Sequence, residues 1–93
     1  MSNHLNDRPL NTLKNMSNSL VAKLHDVGIH TEAKLRELGA IQAYRRIFRK
    51  HPSAGASVWL YVFSLEGALQ NRPWRAVSQE RGRELFRTLA CCE

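Results

Sequence analysis

The sequence predicts an all-α domain, a compact bundle of about five short helices. Three observations carry that expectation. Apolar residues recur three or four positions apart along nearly the whole chain, from Leu13, Met16, Leu20 and Leu24 through to Leu85 and Leu89, the period of one helix face. No stretch shows the sustained apolar–polar alternation of a half-buried strand. Helix stops divide the pattern at short intervals, at Gly28, at Gly39, at His51-Pro52-Ser53-Ala54-Gly55 and at Asn71-Arg72-Pro73. Glycine accepts the left-handed conformation that closes a helix, and proline cannot continue one.

The elements follow in order. Ser17-Asn18-Ser19 is a turn-like, cap-like triplet, so the first apolar run divides into a helical turn around Leu10–Asn15 and a helix over about Asn18–Val27. Thr31 is a good N-cap and Glu32 suits the positive end of a helix, which opens a two-turn helix ending at Gly39. A fourth helix begins near Ala40, with Ile41, Tyr44, Ile47 and Phe48 on its apolar face and Arg45, Arg46, Arg49 and Lys50 on the other. The fifth, Ala56–Gln70, carries Val58, Val62, Leu65 and Leu69 in one stripe with Trp59, Phe63, Tyr61 and Ala68 around it. A helix apolar over so much of its circumference belongs at the centre of the bundle. Trp74 and Val77 are expected to pack back on the core, and Ser78 caps a last helix with Leu85, Phe86 and Leu89 facing in.

The chain has 93 residues, 43% of them apolar, enough for one globular core and too apolar for a disordered tail. The expected organisation is an N-terminal arm over 1–11, a helical domain over 12–90 and a tail over 91–93. Lysine and arginine outnumber aspartate and glutamate 14 to 8, a formal charge of +6, which favours an acidic partner such as nucleic acid, an anionic surface or an acidic protein. The first eleven residues lack an apolar signal core, and no apolar run approaches the roughly 20 residues of a membrane span. Cys91 and Cys92 are the only cysteines and adjoin at the end of the chain. They form no disulfide framework, which fits a reducing cytoplasm.

No enzyme constellation emerges. His4, His25, His30 and His51 have no zinc-ligand spacing, the acids form no close pair, and no glycine-rich phosphate loop is present. Neither a metal nor a cofactor is expected, and Glu66, the one acid in the apolar helix, is read as a structural partner for an arginine. Two features suit a polyanion. Arg45 and Arg49 are four apart, as are Arg46 and Lys50, which makes a two-row basic strip able to neutralise phosphates or simply to face solvent. Leu13-Lys14-Asn15-Met16-Ser17-Asn18-Ser19-Leu20 has the outline of a helix-hairpin-helix, a motif whose backbone N–H groups and following helix N-terminus hold a DNA phosphate. Asn15 and Ser17 stand where that motif has glycines; asparagine tolerates a left-handed backbone and serine does so poorly. The hairpin is therefore expected, with a weakened clamp. Lys14, Asn15, Ser17, Asn18 and Lys23 are the candidate hairpin contacts, and Arg45, Arg46, Arg49 and Lys50 the candidate backbone-phosphate contacts.

The stretch from Leu13 to Ile29, the following His30-Thr-Glu-Ala-Lys-Leu-Arg-Glu-Leu-Gly-Ala40 with Ala43-Tyr44, and Leu65-Glu-Gly-Ala-Leu-Gln70 with Trp74 and Glu80-Arg81 together resemble the C-terminal domain of the TfoX/Sxy competence regulators. The resemblance covers roughly Leu10–Leu89. It implies a helix-hairpin-helix, SAM-like topology and a non-enzymatic, cytoplasmic role in bacterial natural competence, as a transcriptional co-activator. The partner it implies is DNA or a DNA-bound transcription factor such as the cAMP receptor protein. Two functional expectations stand side by side: a regulatory domain with weak DNA-backbone binding at the hairpin, and a protein-interaction module with no nucleic-acid contact.

Overall fold

Ser17 opens the first long helix by accepting a hydrogen bond on its Oγ from the Leu20 N–H. In the computed structural model, which describes residues 9–91, that helix is α1, Asn18–Asp26. It closes in a Schellman motif: Gly28 takes φ +87°, its N–H reaches the His25 carbonyl, and the Ile29 N–H reaches Leu24. Thr31 then caps α2, Glu32–Lys50. Gly39 interrupts α2 with a non-helical backbone (φ 82°, ψ 166°), so the two helices expected on either side of Gly39 are present, joined without a loop. A 3-10 segment, Pro52–Ser57, replaces the expected break and first residues of the next helix. The central helix α3 is Val58–Gln70, and α4 is Gln79–Cys91, capped by the Ser78 Oγ on the Arg81 N–H. Short 3-10 turns at Leu10–Thr12 and Trp74–Ala76 complete the chain. No β-strand occurs among the described residues; Pro9 and Thr31 make one isolated bridge.

The principal packing is α2 against α3, with α1 and α4 laid on α2. Leu24 of α1, Leu35 and Ile47 of α2, and Val62 and Leu65 of α3 are fully buried, and Leu20, Tyr44 and Leu85 join them. Leu10 is buried in the same core, so it belongs to the domain and not to the arm in which the sequence placed it. Residues 1–8 of that arm and residues 92–93 of the tail lie outside the described residues, as does the side chain of Cys91.

Three aromatic residues depart from the expected phase. Phe48, Trp74 and Phe86 are exposed. Phe48 stacks on Tyr44 at the edge of the core, with ring centroids 6.0 Å apart. Val77 is buried as expected while its neighbour Trp74 is not. In α4, Leu85 and Leu89 occupy the inward row, and Phe86, about 100° further around the helix, points away from it.

Candidate functional site

A turn over residues 13–17, at the position of the candidate hairpin, links the Leu10–Thr12 3-10 segment to α1; the Asn15 side chain turns inward, while Lys14, Ser17 and Asn18 are exposed. Asn15 takes the left-handed conformation, φ +67°. Its side chain fastens the hairpin to the far end of α3: Nδ2 donates to the Ser64 carbonyl at 3.3 Å and the Arg72 carbonyl at 2.9 Å, and Oδ1 accepts from the Trp74 N–H at 3.1 Å. The site works only because Gly67 has no side chain. A Cβ there would lie 2.6 Å from the Asn15 Nδ2 and 2.7 Å from the Arg72 carbonyl oxygen. Ser17 is engaged as the α1 cap. Asn18 is the exposed first residue of α1, Lys14 is exposed, and half-exposed Lys23 donates to the Ser19 Oγ at 3.0 Å.

The basic strip of α2 proves to be a set of ties. Arg45 is half-buried and donates to the carbonyls of Thr88 and Leu89, near the end of α4. Arg46, also half-buried, donates to the Val27 carbonyl at 3.4 Å, and Lys50 reaches the Asp26 carbonyl and carboxylate at the end of α1. Arg36, on the same helix, donates to the Leu69 carbonyl of α3 as well as to Glu32. Cations of α2 thus meet the C-terminal ends of α1, α3 and α4, where last-turn carbonyls lack partners and the helix dipole is negative. This corrects the expectation that Arg45 and Arg46 lie on an outer face. Of the four strip residues, only Arg49 is both exposed and without a hydrogen bond or ion pair among the described residues. Asp26 also accepts from His51 at 2.8 Å. The hydrogen bond to His51 first, and then the one to Lys50, hold its carboxyl below the usual aspartate range.

Glu66 is the buried acid, 8% exposed, and it pairs with Arg81 of α4 at 2.9 Å, as the sequence suggested. Burial is the largest single influence and would raise the carboxyl. The hydrogen bonds from Arg81 and Gln70, with the guanidinium charge, together outweigh it and leave Glu66 below the ordinary glutamate range. A carboxyl lowered in the folded state stabilises the fold above its unfolded value of about 4.3, and that stabilisation is lost as the pH falls through the folded value. Glu66→Gln is therefore expected to cost about 2 kcal/mol at pH 7. This is below the roughly 3–5 kcal/mol of a fully buried pair, because Arg81 is 42% exposed to water. Urea titrations should show the gap to the unsubstituted domain shrinking between pH 7 and pH 3; a constant gap would mean that the charge contributes nothing.

A second surface was not read from the sequence. Trp59 and Phe63 of α3 meet edge to face, with centroids 6.0 Å apart, and Trp59 lies 5.7 Å from Phe86 of α4. With Val77 they line an open groove between the two helices, edged by Arg83 and Arg87. Gly82 lets the helices approach, since a Cβ there would lie 2.9 Å from the Phe63 ring. The signal was present in α4: Gly82, Phe86 and Ala90 form a second apolar row at four-residue spacing, beside the arginine row 83 and 87.

Fold and surfaces together define a small, basic, all-helical domain whose polar groups hold its helices to one another and which presents an open aromatic groove between α3 and α4. No described helix is long and apolar enough to cross a membrane. The chain belongs to the TfoX C-terminal domain family, whose model matches residues 5–89. Two crystal structures from Listeria monocytogenes share the fold at 28% identity. One, an uncharacterized protein in a triclinic form, superimposes with a TM-score of 0.75 over 89% of this chain and 94% of that one. The other, a protein of unknown function in a tetragonal form, gives 0.76 over 90% and 99%. No curated protein matches the chain.

Proposed function

We propose that this domain is a non-enzymatic regulator of competence gene transcription that works by contacting a DNA-bound protein, the cAMP receptor protein being the partner that the family resemblance implies. The observation that carries this reading is the disposition of its polar groups. Asn15 and Ser17 of the hairpin and Arg45, Arg46 and Lys50 of the strip are occupied by intramolecular partners, whereas the Trp59–Phe86 surface is open. Family membership supports the regulatory role. The binding of DNA backbone by the hairpin is the second reading. It is favoured by exposed Lys14, by half-exposed Lys23 and by an α1 first turn with no acidic residue, which leaves the positive helix end unneutralised.

Fluorescence anisotropy of a labelled duplex carrying a receptor site separates the two. The domain alone is expected to leave the duplex signal unchanged at physiological salt, and to raise it further once the receptor is bound. Binding of the domain alone, with a steep salt dependence lost in Lys14→Glu/Lys23→Glu, would put the DNA reading in its place. The absence of any effect on the receptor-bound duplex would overturn the protein-contact reading.

A further inference from the structure

We infer that the groove between α3 and α4 is a docking site for an acidic amphipathic helix of a partner protein, an inference that rests on the protein-contact reading above. Trp59 is 37% exposed and Phe86 58% exposed, and they touch each other across the groove. Large apolar side chains gathered on a surface, and not scattered over it, mark interaction sites, and buried aromatics dominate interface energies. The site is built and not a gap left by poor packing. Gly82 admits the Phe63 ring, the Glu66–Arg81 pair fastens α4 to α3, and Arg45 holds the end of α4 to α2. These contacts hold α4 beside α3 and set the two walls of the groove.

The length of the groove suits a helix. Gln79 and Ala90 both line the groove, so it runs about 16 Å along α4 at 1.5 Å per residue. That length accepts three turns of a guest whose apolar residues recur at helical spacing.

The charge selects the guest. Arg83 and Arg87, one turn apart and exposed, line the groove, and among the described residues no carboxylate does. Neither arginine makes an ion pair among the described residues. A guest with aspartate or glutamate beside its apolar row would meet both cations, while a basic helix would meet like charge. The same argument weighs against a second copy of this chain. A two-fold contact across the groove would bring Arg83 and Arg87 of both copies together, in a chain that already carries a formal charge of +6.

The probe is a fluorescein-labelled 14-residue peptide with leucines on one helical face and glutamates elsewhere. It is compared with the same peptide carrying lysine for glutamate and with a scrambled glutamate peptide, all titrated with the full chain. The glutamate peptide is expected to bind at least about tenfold more tightly than either control. Arg83→Glu/Arg87→Glu should weaken it by roughly tenfold and favour the lysine peptide, and Phe86→Ala should abolish binding. Both variants alter exposed side chains, and circular dichroism should show each as helical as the unsubstituted domain. Equal binding of the lysine peptide, or unchanged binding by Phe86→Ala, would overturn the proposal. So would a dimer of the free domain in sedimentation that Phe86→Ala dissociates, since a second copy would then be the occupant. Phe86→Ala in the receptor–duplex assay keeps the two readings apart. An intact effect there, with no peptide binding by the unsubstituted domain, would remove the groove and leave the regulatory reading standing. Peptide binding without any effect on the receptor would do the reverse.

Discussion

Leu65→Ala is expected to destabilise the domain by about 3–4 kcal/mol, within the range for large-to-small changes in a tight core. Leu65 is fully buried on the helix that packs against α2 and both flanking 3-10 segments, so the walls around a deleted isobutyl group are held from several directions and cannot collapse onto it. A small domain has only about 5–15 kcal/mol of stability, so this one side chain decides a large share of it. Urea denaturation should show the midpoint falling with an unchanged slope. Leu60→Ala is the control on the same helix. Leu60 is 52% exposed, and its loss should change stability by no more than about 0.5 kcal/mol. Equal costs at the two positions would mean that α3 does not present the face to the core that the structure gives it.

That face was readable from periodicity alone, because Val58, Val62, Leu65 and Leu69 recur at helical spacing. Helix ends were readable too. Ser17, Thr31 and Ser78 cap the helices that the sequence assigned to them, and Gly28 and Gly39 stand at positive φ where stops were expected. These are local signals, carried by a residue and its neighbours within one turn. The signals that failed are those settled by another part of the chain. Nothing in the spacing of Arg45 and Arg46 says that the C-terminal ends of α4 and α1 will arrive beside them. The polar face of an isolated helix reads as solvent-exposed whether or not another helix end lies over it. Phe86 failed for the complementary reason. A hydrophobic residue next to an inward leucine reads as core; its four-residue row with Gly82 and Ala90 is visible in the sequence, but what that row faces is decided by the placement of Trp59 and Phe63. The candidate DNA contacts divide along the same line. Asn15 was correctly read as a residue able to take positive φ, while the partners of its side chain lie 49 to 59 positions away in sequence.

Gly67→Ala puts that long-range arrangement to a test in which the two views differ in sign. By intrinsic propensity, replacing a mid-helix glycine with alanine stabilises by about 1 kcal/mol. At Gly67 the expected result is a net loss of about 2 kcal/mol. The new methyl would lie 2.6 Å from the Asn15 amide nitrogen, 2.7 Å from the Arg72 carbonyl oxygen and 3.2 Å from the Trp74 Cα, and two of those three atoms are backbone. The backbone cannot withdraw without cost, because Arg72 is part of the Schellman closure of α3. Asn71 stands at φ +57° there, and the Arg72 N–H bonds to Gly67's own carbonyl at 2.8 Å. Overpacking of this kind costs about 1–3 kcal/mol, to which the displaced Asn15 hydrogen bonds add about 1 kcal/mol. Asn15→Gly supplies the second arm, since it keeps the positive φ without strain and removes the side chain that the methyl would strike. In that background Gly67→Ala should cost less, but still more than zero, because the Arg72 carbonyl remains in the way. Thermal melts of the four proteins of the cycle measure this coupling directly. Full recovery on removing the Asn15 side chain would mean that the helix end yields and that the amide alone sets the need for glycine. A stabilising Gly67→Ala would remove the hairpin from its place against α3.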